Sequence, residues 1–269
     1  MSNKEKSVAT AEVILSLEDL SMHFGGLKAV DSLSFDVYEG EIFGLIGPNG
    51  AGKTTVFNCI TQFYKPTSGK IWFKDNKGEM ICLNDYKVHD VIKTGIVRTF
   101  QNVEVIAELT IAENLLIAAH TLFKANLLAQ FFHSKKMKAE EKAMKEKALE
   151  VLEYVGLKDY ADTYPSGMPY GILKKIELAR TLMTDARLII LDEPAAGLNE
   201  QETLELSNTI RDIAKNKKVT IFLVEHDMGV VMNICDHICA LSFGKKLAYG
   251  TPKEIQNDPV VQEAYLGSD

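Results

Sequence analysis

Nine residues, GPNGAGKTT from Gly47 to Thr55, constrain this chain more than any other stretch. They fit G-x-x-x-x-G-K-[ST], with Gly47, Gly52, Lys53 and Thr54 at the fixed positions. Pro48, Asn49, Gly50 and Ala51 fill the loop, and Thr55 follows it. Glycines at this spacing let backbone N–H groups wrap around phosphate oxygens. The helix that opens behind them adds partial positive charge, lysine neutralises the outer phosphates, and the threonine hydroxyl ligates Mg²⁺. The flanks match that chemistry. EIFGLIG is a continuous apolar strand running into the loop, and a helix over about Lys53 to Phe63 leaves it. KPTSG then marks a turn with Pro66 and Gly69.

The rest of the chain sorts into strand-like and helix-like parts. Val13 to Tyr38 alternates apolar and polar residues around a turn at FGG, the pattern of a partly exposed sheet. KIWFKD and EMICLND read as a hairpin. From Asn102 to about Tyr164 the pattern turns helical, with Thr110 and Glu113 spaced as a capping box. A long helix there places Ala143, Met144, Ala148, Val151, Leu152 and Val155 on one face, with Gly156 at its end. RLIILDEP and VTIFLVEHD are unbroken apolar runs, as in strands buried on both faces of a parallel sheet. Between them lies a helix from about Glu200 to Ala214, with Asn199 as cap and Glu202 as first-turn acid. These features predict an α/β fold, one domain over 13–269 behind a polar leader at 1–12, with a helical insertion.

Composition narrows the partners. The net charge of −7 opposes a broad nucleic-acid surface, and the lysines from Lys135 to Lys147 alternate with glutamates, as on a solvated helix. No apolar run reaches the ~18 residues of a membrane span. A cytosolic protein that meets a membrane only through a partner is expected. Cys59, Cys82, Cys235 and Cys239 offer no metal-ligand spacing apart from CDHIC, and they read as buried free thiols in a reducing compartment.

Further chemistry sits at the strand ends. LIILDEP closes on Asp192, placed to hold Mg²⁺, and Glu193, placed to take a proton from an attacking water. LVEHD brings His226 to the end of another buried strand. Phosphate loop, acid pair and histidine would meet on one edge of one sheet, where open α/β sheets bind ligands. Gln101, in RTFQN, stands where the sheet portion gives way to the helical one, within reach of Mg²⁺ or its water.

In their order, these residues resemble an ATP-binding-cassette (ABC) ATPase over essentially the whole chain from Val13 onward. The resemblance implies a P-loop NTPase core of mostly parallel sheet, an antiparallel β subdomain, and an inserted α-helical signature subdomain at about 102–178. It makes Phe24 the candidate adenine-stacking aromatic, Gln101 the glutamine of the joining loop, MPYGI the signature, AAGLN the loop after the acid strand, and His226 the switch histidine. ATP and Mg²⁺ are the implied cofactors. More narrowly, GIVRTFQN, PYG, DEPAAGLN and the tail GTPKEI…DPVVQEAYLG resemble the ATPase subunit of branched-chain amino acid importers. The implied partners are a second cassette, identical or a sister chain, transmembrane permease subunits and, indirectly, an extracytoplasmic solute-binding protein. Implied too is a place on the inner face of the cell membrane, held there by the permeases.

The signature departs from the family's Leu-Ser-Gly-Gly-Gln. Met168, Pro169, Tyr170, Gly171 and Ile172 stand in those places, so the serine hydroxyl that would touch the partner's γ-phosphate is gone. Gly171 and the helix N-terminus behind it remain to face an anion. Losing one hydrogen bond to a charged group costs about 1.5–3 kcal/mol, which weakens the contact without abolishing it. Tyr170 could supply another hydroxyl; the sequence leaves this open. Asn199, where the family favours aspartate, is a second departure at the same seam. The alternative reading is a soluble cassette ATPase of DNA repair, translation or iron–sulfur assembly. Such proteins usually show paired cassettes, long coiled coils or basic surfaces, which this sequence lacks. A P-loop kinase or GTPase would not need the LVEHD strand or the junction glutamine.

Overall fold

The computed structural model describes residues 12–99, 104–119 and 135–266. Strands β1 (Val13–Phe24) and β2 (Leu27–Tyr38) form an antiparallel pair around the glycine turn. With β4 (Ser68–Lys74) and β5 (Met80–Cys82) they make a sheet of order β2-β1-β4-β5. The second sheet has six strands in the order β10-β9-β3-β8-β7-β6. Here β3 (Ile42–Ile46), β6 (Ile96–Arg98), β7 (Leu188–Asp192), β8 (Thr220–Val224) and β9 (His237–Ser242) run parallel. At one edge β10 (Lys245–Gly250) is antiparallel to its neighbour.

Period-two alternation assigns the faces of the parallel sheet. Phe222 and Val224 of β8 face one core, with Phe43, Leu45, Leu188 and Ile190. That core also takes the inner face of the antiparallel sheet and Val56, Phe57, Cys59 and Ile60 of α1 (Lys53–Ile60). Phe43 joins the layers, its ring 5.0 Å from both Phe35 and Phe222. Ile221 and Leu223 face the opposite core, against Leu206, Ile210 and Ile213 of α6 (Glu200–Lys217) and Val230, Val231 and Ile234 of α7 (Met228–Ile234). Because both faces are covered, the strands carry no polar alternation. That explains the unbroken apolar runs.

A third core gathers α3 (Ile111–Ala118), α4 (Lys135–Tyr154) and α5 (Tyr170–Leu182), through Ile111, Leu115, Ala148, Leu152, Ile176 and Ala179. These helices fall between β6 and β7, which are adjacent in the sheet, so they form an excursion from its edge. The α-helices remaining among the described residues are α2 (Val88–Thr94), α8 (Pro252–Gln256) and α9 (Pro259–Leu266). The capping boxes at Thr110/Glu113 and Asn199/Glu202 are both formed.

Three expectations change in detail. Helix α1 stops at Ile60 rather than near Phe63, because Gln62 turns into the left-handed region at φ 61°. Ala143 is exposed, whereas Met144 beside it is partly buried against the helical core and full burial begins at Ala148. Cys82 is only half-buried, on a short edge strand, whereas Cys59, Cys235 and Cys239 are buried. All four thiols are free, and His237 of CDHIC lies 2.6 Å from Glu41 through its Nδ1. Burial pushes the Cys59 thiol up to about 12 and raises Cys235 and Cys239 as well, suppressing their thiolates. Native protein treated with maleimide should therefore gain one adduct by intact mass, at Cys82, and four after denaturation. Three or more adducts on the folded chain would contradict this core.

Candidate active site

The phosphate loop is pressed between two pieces of backbone. A Cβ on Gly47 would stand 2.4 Å from the carbonyl oxygen of Leu241 in β9, and one on Gly52 2.5 Å from that of Ala29 in β2. Gly52 also adopts φ 103°, a left-handed conformation at the N-cap of α1 that only glycine takes freely. Gly244 of the β9–β10 turn donates its N–H to Ala51 O at 3.0 Å, and Asp31 N–H donates to Gly244 O at 2.9 Å. Both sheets thus press on the loop from outside. Lys53 is buried, and its Nζ donates to Gly47 O at 2.6 Å and Pro48 O at 3.1 Å. Burial lowers its pKa, and the fields of Glu193 and Asp192 oppose that shift. Asn49, Gly50 and Thr54 are exposed, Ala51 is buried, and Pro48 and Thr55 lie between.

The acid pair and the histidine stand at neighbouring tips. Strand β8 lies between β3 and β7, so the loop, the histidine and the acids leave the sheet from one edge. Asp192 closes β7 opposite Val224. Its Oδ2 accepts from Arg98 Nη2 at 2.8 Å. Glu193 continues the ladder by one bond, its N–H donating to Val224 O at 2.9 Å, then turns away at φ 49°. A non-glycine residue held there costs about 1–3 kcal/mol, strain that clusters at functional sites. The turn brings Glu193 Oε1 to 2.6 Å from His226 Nε2, within hydrogen-bond distance.

Behind this pair, buried Glu225 accepts N–H bonds from Ala195 at 2.7 Å and from His226 at 3.1 Å, and burial raises its pKa against those donors. It ties the loop after Glu193 to the loop carrying His226. Sequence reasoning passes over Glu225, although the acid in VEHD is a visible signal. It also passes over Arg98 and its neighbour Asn58, which only the folded sheet brings together.

Phe24 ends β1 half-exposed, its ring 5.2 Å from Tyr64 in an edge-on contact. Pro169 is the N-cap of α5, with no side-chain cap; Tyr170 is exposed and Gly171 buried. A Cβ on Gly171 would meet Glu202 Oε1 at 2.7 Å, and one on Gly197 would meet the Tyr170 ring at 3.2 Å. The signature thus leans on the loop and helix that follow β7. Gln101 lies outside the described residues.

The family described as "ABC transporter" matches residues 30–196. The chain belongs to this family. Its last residues, 245–269, match a second family, described as "Branched-chain amino acid ATP-binding cassette transporter". Among curated relatives, the "High-affinity branched-chain amino acid transport ATP-binding protein LivG" of Escherichia coli (strain K12) is 42% identical over 257 residues, 96% of this chain and 99% of the relative. BraF of Pseudomonas aeruginosa, given the same description, is 44% identical over 254 residues, 94% of this chain and 98% of its own. The crystal structure of the ADP conformation of MJ1267, an ATP-binding cassette of an ABC transporter, superposes with a TM-score of 0.80. It is 32% identical, over 96% of this chain and all of that one. The fold is therefore that of an ABC ATPase cassette. No helix among the described residues is long and apolar enough to cross a membrane.

The side chains of this cassette suit a magnesium nucleotide. The loop packs too closely on its outer side for Cβ atoms at Gly47 and Gly52, and Thr54 and Asp192 offer the hard oxygens magnesium takes. Gly52→Ala should push the loop off Ala29 and cost more than about 1 kcal/mol, since alanine also resists positive φ. Urea denaturation would register this as a lower midpoint with nucleotide affinity reduced; an unchanged midpoint would contradict the contact.

Proposed function

We propose that this chain binds and hydrolyses ATP to power an importer of branched-chain or related amino acids. One observation carries the hydrolytic half: Glu193 held by His226 at 2.6 Å on the sheet edge that also bears Lys53. The transport half rests on whole-length similarity to LivG and BraF and on the match at 245–269.

Residue roles follow from position. Backbone N–H groups of the glycine loop and the N-terminus of α1 cradle the phosphates, with Lys53 turning from the loop carbonyls to the β/γ oxygens. Thr54, Asp192 and Gln101 would hold Mg²⁺. Bound there, magnesium would supply positive charge that offsets the charge building on the phosphates. Glu193 takes a proton from the attacking water. His226, its Nε2 2.6 Å from that carboxylate, keeps it aimed. Phe24 presents its half-exposed ring to adenine.

The signature residues Pro169, Tyr170 and Gly171 serve a second cassette, whose bound ATP they help to enclose. Closure of the pair on ATP and reopening after hydrolysis would shift paired permeases between two states, by differential affinity for the closed form. The cassette then sits peripherally on the inner face of the cell membrane, with a solute-binding protein outside. Since this chain carries its own hydrolytic set but lends a weakened signature, a sister cassette with the full signature is the fitting neighbour.

Glu193→Gln keeps the shape and removes the base. Turnover of the purified membrane complex should fall by about 10²–10⁴-fold while ATP still binds. Turnover near wild type would sink the assignment. Pro169→Ser should raise turnover at the partner's site, read as phosphate release in complexes whose other site carries the Gln substitution; no change would count against unequal sites. The amino acid recovered on the binding protein of the intact complex identifies the solute class.

A further inference from the structure

Arg98 is a buried cation that the reading above does not use. It is the last residue of β6, where the chain leaves the sheet for the helical excursion. Its side chain is 12% exposed and that of Asp192 10%. Nη2 donates to Asp192 Oδ2 at 2.8 Å, Nη1 donates to Asn58 Oδ1 at 2.8 Å, and the guanidinium lies 5.3 Å from the centre of the Phe57 ring. Asn58 and Phe57 belong to α1. Asn58 is four residues beyond Thr54, so the two share a face of that helix. The fork therefore spans from the helix carrying Thr54 to the strand carrying Asp192.

We infer that Arg98 is a positioning residue for the magnesium ligands: it fixes one oxygen of Asp192 and sets the spacing between that carboxylate and the Thr54 hydroxyl. This rests on the proposal that Thr54 and Asp192 hold Mg²⁺. Partners that hydrogen-bond a ligating carboxylate orient it, and losing one typically weakens metal affinity about 10–100-fold. A planar guanidinium can serve two acceptors on different elements at once. A lysine ammonium at the end of its stem is a point charge without that fork. Arg98→Lys thus keeps the charge beside Asp192 and removes the strap, so electrostatic and geometric effects do not oppose one another. Asn58→Ala keeps Arg98 and its ion pair but releases the end on α1.

The test is equilibrium binding of a fluorescent, non-hydrolysable ATP analogue to the full chain, across a magnesium titration and in EDTA. The magnesium concentration at which binding tightens by half should rise roughly tenfold in Arg98→Lys. It should rise by less in Asn58→Ala, with affinity in EDTA unchanged in both. A merely structural ion pair would lower the melting temperature and leave the magnesium midpoint where it was; that result overturns the inference. If Arg98→Lys does not fold, a wild-type magnesium midpoint in Asn58→Ala overturns it equally. If the wild-type chain shows no magnesium response, the assignment of Thr54 and Asp192 falls, and the role of Arg98 with it.

Discussion

The packing on which the rest depends is the approach of Gly47 and Gly52 to the carbonyls of Leu241 and Ala29, closer than any side chain would permit. It seats the loop against both sheets at once. On its outer side the loop meets β2, β9 and the Gly244 turn, whose N–H donates to Ala51 O. The loop follows β3 at the edge where β7 and β8 also end. A looser loop would still match the sequence motif, yet it would not hold Lys53 within the fields of Asp192 and Glu193.

Those fields form the second constraint. Two cations, Lys53 and Arg98, and two carboxylates, Asp192 and Glu193, share a small, largely buried volume. Unpaired, each would be costly to remove from water. Each is held by a neighbour: Lys53 donates to loop carbonyls, Arg98 ties Asp192 to α1, and His226 holds Glu193. Arg98, Asp192 and Glu193 thus each have a partner on a different element. Any shift of β7 against α1 or β8 is therefore felt electrostatically, which suits a site that must respond to phosphate charge.

Much of this can be read from the chain. The loop motif, the apolar runs of β7 and β8, the hairpin turn and both capping boxes depend on local spacing, and local spacing is what a sequence displays. Tertiary facts stay hidden. Arg98 looks like any charged residue at a strand end until β6 is paired with β7 and α1 crosses its tip. Glu225 hides in VEHD because its donors, Ala195 and His226, lie on different loops. The end of α1 is misplaced by the pattern because Phe63 extends the apolar period while Gln62 leaves helical geometry. Ala143 fits the helical period, but periodicity cannot tell where along a helix a neighbour begins to cover it.

The signature is the place where sequence comparison and physical structure inform each other most. Without a serine, the N-terminus of α5 has no side-chain cap, and the Pro169 carbonyl accepts from Ile172 and Leu173. A serine at that position would have two claimants for its hydroxyl, the N–H groups of its own first turn and an anion on a neighbour. Proline removes both claims, and the N–H groups of Ile172 and Leu173 turn back to its own carbonyl. Tyr170 beside it is not loose decoration: Gly197 leaves room for its ring, and the Lys174 ammonium lies 5.6 Å from the ring centre. The signature and the loop after the acids are therefore packed together, so a bulkier residue at Gly197 would meet Tyr170 at the start of α5.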